Sequence, residues 1–207
     1  MSPLTSESPL NRPAPWWATL MGGLRFHAGY QEYRKLRSGV SVLLRLIRAS
    51  DAPLLLHGFQ RLSPESRYRR FLAYRRSLSP TEVEHFTRCD GVNHFALAAV
   101  TQRHGEIEEG IGTARFVRLA KEPVAADFAL TVIDEYQGQG LGRLLLARLL
   151  RAAAERGVRE FRSTVLAENK PILALARSFG AADEATNERG ILEMVLPVTQ
   201  AQPAACP

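Results

Sequence analysis

Cysteine is scarce in this chain of 207 residues, which contains only Cys89 and Cys206. Cys206 lies in a C-terminal stretch rich in proline and alanine, so a disulfide framework has almost nothing to be built from. This scarcity is typical of a reducing compartment, and we expect a cytoplasmic location. We expect no metal, because the series His85, Cys89 and His94 spans a predicted helix and loop without a clear fourth ligand.

Long apolar runs are also absent. The longest apolar stretches, such as residues 95–100 and 144–146, fall far short of the roughly 20 residues that span a bilayer. No basic residue precedes Arg12, and glycines interrupt the apolar segment that follows, which does not fit a secretory signal. We therefore expect neither a transmembrane helix nor a membrane partner.

The basic residues form no dense block. The formal charge of +6 favours anions such as a phosphorylated cofactor, an acidic protein face or nucleic acid. However, the arginines are spread from Arg34 to Arg189, and aromatic residues do not alternate with basic ones. That distribution does not predict a stacking surface for nucleic acid, and we expect no nucleic-acid partner.

The length favours one domain with extensions over two domains. Residues 1–38, rich in proline, serine and glycine, are predicted to form a partly ordered N-terminal arm that contains the isolated pair Trp16 and Trp17. Residues 39–196 are the predicted domain, and residues 197–207 a disordered tail. The three apolar segments that begin at His94, Gly110 and Val124 are typical of an antiparallel meander.

Other elements follow from apolar periodicity and capping residues. We expect strands over 41–48, over 161–167 and from Ile191, and helices after Asp51, from Ser63, from the capping box at Ser79, after residue 140 and over 170–179.

Three glycines fall within five residues of the stretch EYQGQGLGRLLLARLL, which spans residues 135–150. A strand that leads through such a turn into a helix presents unpaired amides and a partial positive charge, which suit an anion. The dinucleotide fingerprint fails here because position 143 is arginine, and the phosphate loop fails because its lysine is missing.

Residues 137–142, QGQGLG, match the element Gln/Arg-x-x-Gly-x-Gly/Ala of the GNAT superfamily of acyl-CoA-dependent N-acyltransferases. VLAENKPILALARSFGA, residues 165–181, is similar to the strand and asparagine-led helix that follow in that superfamily. Together with RLSPESRYRRFL, it most resembles the bacterial Pat-type protein lysine acetyltransferase branch. The resemblance covers residues 40–196. It implies an α/β (α+β) GNAT fold, in which helices flank a central, mixed and mostly antiparallel sheet, and acetyl-CoA as co-substrate.

The resemblance also implies roles for individual residues. Amides from Gly138 to Arg143 would hold the pyrophosphate of acetyl-CoA, with Arg143 as a charge-assisted partner. Backbone amides of the strand before the turn would receive the thioester carbonyl and pantetheine. The implied cofactor-binding residues are Leu130, Val132, Gln137, Gly138, Gln139, Gly140, Leu141, Gly142, Arg143 and Asn169.

Asp127 is the candidate catalytic base. The resemblance implies this role, because Pat-type relatives carry a glutamate, proposed as the base, at the corresponding position. The shorter side chain of Asp127 withdraws the carboxylate by about 1 Å, which favours a water relay over direct contact. The alternative is an ordinary carboxylate of the strand. Many relatives carry a tyrosine acid where this chain has Ala176, and the Pat-like helix commonly lacks it.

Other titratable residues carry weaker functional signals. His94 is a second candidate base, although a lone histidine that opens a strand is more often structural. Glu106, Glu108 and Glu109 are expected to be solvated.

Three functions remain open. The first is an acetyltransferase whose favoured acceptor is a protein lysine, and the second is an acetyltransferase for a small amine. The third is a non-catalytic acyl-CoA-binding sensor or interaction module, suggested by Asp127 in place of glutamate and by the missing tyrosine.

Overall fold

The computed structural model describes residues 23–103, 107–186, 188 and 190–199, and only the backbone at positions 102, 103, 107 and 185. Eight strands and five α-helices lie within these ranges. The strands are β1 (Gln31–Lys35), β2 (Ser41–Leu46), β3 (His94–Arg103), β4 (Ile107–Leu119), β5 (Glu122–Val132), β6 (Glu160–Leu166), β7 (Ala182–Ala185) and β8 (Ile191–Pro197). The helices are α1 (Ala52–Gln60), α2 (Pro64–Phe71), α3 (Pro80–Thr87), α4 (Leu141–Glu155) and α5 (Lys170–Arg177).

All eight strands form one sheet in the order β1-β2-β3-β4-β5-β6-β8-β7. Every neighbouring pair is antiparallel except β5 and β6, which are parallel and are connected through α4. The predicted fold, a mixed and mostly antiparallel sheet flanked by helices, is confirmed. The strand β7 and the strand β1 were not predicted, because their sequences ADEA and QEYRK lack the apolar alternation typical of strands.

One apolar face of α4 packs on the sheet. Leu141, Leu145 and Leu149 recur at helical spacing and are fully buried, against a core that includes Phe95 and Phe116. Burial of each such side chain contributes about 1.5–3 kcal/mol. This packing fixes the start of α4, and with it the glycine turn, against the end of β5.

A second, smaller core holds α1, α2 and α3 together. Phe59, Leu62 and Leu78 are its buried members, and Phe71 and Phe86 pack against them. Two caps define the helix starts: the Ser63 hydroxyl accepts from the Ser66 amide at 3.1 Å, and Ser79 forms the predicted capping box with Glu82. Helix α2 is thereby held beside the groove that opens between β5 and β6.

The sheet begins inside the segment predicted as the N-terminal arm. Phe26, Tyr30 and Leu36 are buried in the main core, and β1 pairs with β2. Trp16 and Trp17 lie outside the described residues. At the other end, within the segment predicted as a tail, the Val198 amide donates to the carbonyl of Arg159 at 2.7 Å. Residues 200–207 lie outside the described part of the chain.

One sequence expectation about charge is wrong. Glu109 is 4% exposed and forms an ion pair with Arg61, so it is not a solvated turn residue. Glu108 pairs with Arg45 at 3.2 Å, whereas Glu106 lies outside the described residues. Among the helices that the structure describes, none has the length and apolar character needed to cross a bilayer.

Candidate active site

The site opens where β5 and β6 separate. The two parallel strands pair over only two residue pairs and then diverge. Just beyond them, the Phe128 amide donates to the Ser163 hydroxyl at 3.0 Å. Because amides alternate between the two edges of a strand, those of Leu130 and Val132 face the same open edge. These are the two predicted positions for the thioester carbonyl and pantetheine.

The glycine turn follows directly. Gly138 and Gly140 have φ angles of 71° and 93°, a left-handed conformation that glycine adopts without the steric cost of a side chain. The first helical hydrogen bond of α4 runs from the Leu144 amide to the carbonyl of Gly140, at 3.0 Å. The preceding amides, from Leu141 to Arg143, therefore face the opening without helical acceptors, as an anion site requires.

Two side chains of the motif stabilise the turn itself. Gln137 donates to the Val132 carbonyl at 3.1 Å. Gln139 donates to the carbonyl of Glu135 at 2.7 Å and accepts from the Ser38 hydroxyl at 2.5 Å, which ties the turn to the loop after β1. The side chain of Gln139 is thus committed to this contact.

Asp134 fastens α2 to the glycine turn. Its carboxylate accepts from the Ser63 amide at 3.1 Å and from the hydroxyls of Ser63 and Ser66, both at 2.8 Å. Burial opposes ionisation of this carboxyl, but these hydrogen bonds outweigh it and lower its pKa. These contacts hold the start of α2 against the segment that leads into the glycine turn.

The opening is a groove with a volume of about 1220 Å³. It brings together every predicted site residue except Gln139 and Leu141, and Leu141 is fully buried in the core. The predicted residues that line it are Asp127, Leu130, Val132, Gln137, Gly138, Gly140, Gly142, Arg143 and Asn169. Arg143 donates to the Ser178 hydroxyl at 2.9 Å and stacks over the ring of Phe179 at 4.8 Å.

Asp127 lies in this groove and is exposed to solvent there. The Ser163 hydroxyl lies 2.6 Å from its carboxylate. The protein atoms around the carboxyl raise its pKa by desolvation, while the Ser163 hydrogen bond and the positive charge of Arg70 oppose the rise. A carboxylate with a raised pKa, open to the groove, is suited to accept a proton.

Sequence reasoning missed Ser163. No local pattern marks it, because its partner Asp127 is 36 residues away on a neighbouring parallel strand. The Ser163 hydroxyl also lies 3.0 Å from the Phe128 carbonyl and accepts from the Phe128 amide. It therefore both holds the base and bridges the two strands at the point of separation.

The other candidate acids and bases lie elsewhere. Ala176 is fully buried in the core, and no tyrosine, histidine or cysteine lines the groove among the described residues. The His94 ring lies 4.6 Å from that of His85, and its Nε2 is 3.3 Å from the Arg115 guanidinium. Burial first, and then the charges of Arg115 and His85, lower the pKa of His94 to about 4. This environment fits a structural histidine.

Comparison with known proteins identifies the family. Residues 61–181 match the sequence model of the Acetyltransferase (GNAT) family. Acetyltransferase Pat of Mycolicibacterium smegmatis is 32% identical over 149 residues, which cover 71% of this chain and 43% of that protein. The chain thus spans less than half the length of that relative. Acetyltransferase PA5475 of Pseudomonas aeruginosa is 30% identical over 145 residues, or 70% of this chain and 77% of the relative.

A solved structure of the same family has the same fold. The GNAT domain of S. lividans PAT superimposes with a TM-score of 0.74 at 30% identity, and the match covers 83% of this chain and 99% of that domain. Residues 61–181, which match the family model, contain the diverging strands β5 and β6, the glycine turn and helix α5 with Asn169 at its start. The chain therefore belongs to the acetyltransferase (GNAT) family, a family of acyltransferases that use acetyl-CoA.

Proposed function

We propose that this chain transfers an acetyl group from acetyl-CoA to an amine, and that its favoured acceptor is the side chain of a protein lysine. One observation carries the proposal: a single groove joins the free amides of the glycine turn, the open edge of β5 and the carboxylate of Asp127. The family assignment supports the reaction type.

Acetyl-CoA fits the part of the groove between the glycine turn and β5. Its pyrophosphate would take hydrogen bonds from the amides between Gly138 and Arg143 and the positive charge at the start of α4. Its thioester would lie along the open edge of β5, where the Leu130 and Val132 amides can stabilise the carbonyl oxygen as it becomes negative. Asn169, at the start of α5, would line the same channel.

Asp127 would prepare the acceptor amine. A lysine ammonium has a pKa of about 10.4, so a base must take its proton at neutral pH. Asp127 accepts that proton, directly or through water. The amine nitrogen then bonds to the thioester carbonyl carbon, the carbon–sulfur bond breaks, and CoA leaves as a thiolate. The second proton that the nitrogen loses to become an amide passes to this thiolate or to water. A thiol with a pKa of about 8.5 is a fair leaving group without a strong acid, which agrees with alanine at position 176.

The shape of the acceptor side favours a protein. Asp127 is exposed along an open groove rather than enclosed in a small acidic pocket, so a lysine side chain on a large partner can reach it. The resemblance of RLSPESRYRRFL to Pat-type lysine acetyltransferases supports the same acceptor class. We also propose a cytoplasmic location, since acetyl-CoA and reduced cysteines occur together there.

The test is acetyl-CoA titration by calorimetry, followed by CoA thiol release from the same preparation with lysine peptides and small amines. We expect acetyl-CoA to bind saturably, and the CoA thiol to be released when lysine peptides are added. Release with small amines alone would replace the protein acceptor by a small molecule. Tight binding with no release would favour the acyl-CoA sensor, and no binding would overturn the proposed function.

A further inference from the structure

Arg70 lines the groove, and the proposed transfer reaction makes no use of its charge. It lies near the C-terminal end of α2. Its guanidinium stacks over the rings of Phe71 at 4.9 Å and Phe86 at 5.9 Å. In the part of the chain that the structure describes, it makes no hydrogen bond or ion pair.

The other arginines that line the groove are each held by a partner. Arg69 forms an ion pair with Glu65 at 2.5 Å, and Arg162 pairs with Glu122 at 2.9 Å. Arg143 donates to Ser178, as described above. Arg70 thus differs from the other groove arginines in that, among the described residues, its guanidinium has neither a hydrogen-bond partner nor an ion-pair partner.

The surroundings of Arg70 favour the binding of a carboxylate. A guanidinium that is partly desolvated without a partner loses hydration and gains no hydrogen bond in return. The nearby guanidinium of Arg115 adds positive potential, and burial and the charge of Arg70 lower the pKa of Arg115 to about 10. A carboxylate would relieve both effects, because guanidinium and carboxylate groups form two parallel charge-assisted hydrogen bonds.

Arg70 also lies close enough to Asp127 to influence it electrostatically, although the two do not form an ion pair. The groove therefore presents the Asp127 carboxylate to an amine and, close to it, the Arg70 guanidinium to an anion. An acceptor that carries both an amine and a neighbouring carboxylate would satisfy the two residues together.

We propose that Arg70 binds a carboxylate next to the acceptor amine, and that in a protein acceptor this carboxylate belongs to an acidic residue flanking the target lysine. The selectivity rests on the proposed transfer reaction, since it is expressed as a preference among acceptors. Arg70 is accordingly a residue that determines specificity.

The experiment compares two matched pairs of acceptors. The first pair is a single-lysine peptide with glutamate beside the lysine and the same peptide with glutamine there. The second pair is free lysine and cadaverine, which lacks the carboxylate. We expect the native chain to prefer the carboxylated member by about tenfold in kcat/KM, the usual size of one charge-assisted contact. Arg70→Gln should bring the ratio close to one, and Arg70→Lys should retain part of it.

Arg76→Gln is the matched control, because Arg76 is an exposed arginine close to Arg70 in the sequence and does not line the groove. It should leave the ratio unchanged. A ratio near one in the native chain, or an unchanged ratio in Arg70→Gln, overturns the proposal. If Arg70→Gln lowers kcat/KM equally for both members of a pair, the proposal is also overturned, since Arg70 would then act on Asp127 rather than on the acceptor.

The second pair separates this proposal from the proposed protein acceptor. If peptides are not acetylated but free lysine is preferred to cadaverine in an Arg70-dependent way, the carboxylate site stands and its source is a small amino acid. If peptides are acetylated with no preference for glutamate, the protein acceptor stands and the carboxylate site falls.

Discussion

The hydroxyl of Ser163 lies 2.6 Å from the carboxylate of Asp127, on the strand that separates from β5 just beyond this contact. The same hydroxyl accepts from the Phe128 amide at 3.0 Å. A single side chain therefore positions the candidate base and marks the start of the open edge at which the thioester would bind.

Ser163→Ala should shift the pH dependence of catalysis. The Ser163 hydrogen bond lowers the pKa of Asp127, against the rise that desolvation by the surrounding protein atoms causes. Its loss should raise that pKa further, so the base is protonated up to a higher pH. We expect the acidic limb of the kcat/KM profile to move to higher pH. Ser163→Thr, which retains a hydroxyl, should restore the native limb, and an unmoved limb in Ser163→Ala would contradict this role.

Substitution of Gly140 should weaken acetyl-CoA binding. Gly140 and Gly157 lie at opposite ends of α4 and both have positive φ angles, 93° and 74°. Alanine at either position should lower the free energy of unfolding by about 1–2 kcal/mol, because side chains disfavour this conformation. Only Gly140→Ala alters the proposed pyrophosphate site. Calorimetry should therefore show weaker acetyl-CoA binding in Gly140→Ala alone.

Gly157→Ala serves as the control for that experiment, since its strain is similar and its position is remote from the groove. Equal weakening in both variants would attribute the effect to general destabilisation. Unchanged binding in Gly140→Ala would remove the glycine turn from the cofactor site.

The ion pair between Glu32 and Arg148 should make stability depend on acid pH. Two hydrogen bonds of 2.7 Å join the buried pair. Burial alone would raise the pKa of Glu32, but hydrogen bonds from Arg148 and Tyr30 lower it from 4.5 to about 2. Because the folded state holds the ionised form, this stabilisation is present above pH 4.5 and is lost as the pH falls towards 2.

The corresponding variant is Glu32→Gln. It should lower the free energy of unfolding at neutral pH by about 3 kcal/mol, since it leaves the Arg148 guanidinium buried without its charge partner. It should also flatten the loss of stability between pH 4.5 and 2. Glu84→Gln, which removes an exposed ion pair on α3, should cost less than about 0.5 kcal/mol. Denaturant unfolding at neutral pH and between pH 4.5 and 2 measures both effects. If stability falls in parallel for the native chain and Glu32→Gln, the ion pair is excluded as the source of the acid dependence.

Local patterns predicted the elements that form the candidate site. The glycines at 138 and 140 indicate the turn because their conformation excludes most side chains, and the leucine spacing after them indicates α4. Asp127 could be assigned to the strand before the turn because it lies in the apolar segment that begins at Val124. The placement of these residues around one groove then follows from the order of strands and helices.

Contacts between distant residues could not be predicted in this way. Strand β1 has one buried residue, the charged Glu32, so its position is fixed by a partner 116 residues away rather than by apolar alternation. The burial of Glu109 could not be predicted either, because its ion-pair partner Arg61 lies on a distant part of the chain. Ser163 becomes recognisable only when β5 and β6 are placed side by side.

The most direct test compares Asp127→Asn with Asp183→Asn, a surface variant whose residue pairs with Arg177 outside the groove. Acetyl-CoA affinity and amine-dependent CoA release are measured on both. We expect Asp127→Asn to bind acetyl-CoA within about twofold of the native chain while its kcat/KM for the amine falls about 100-fold or more, the usual contribution of a general base. Asp183→Asn should match the native chain in both. Native turnover in Asp127→Asn would contradict the assignment of Asp127 as the base.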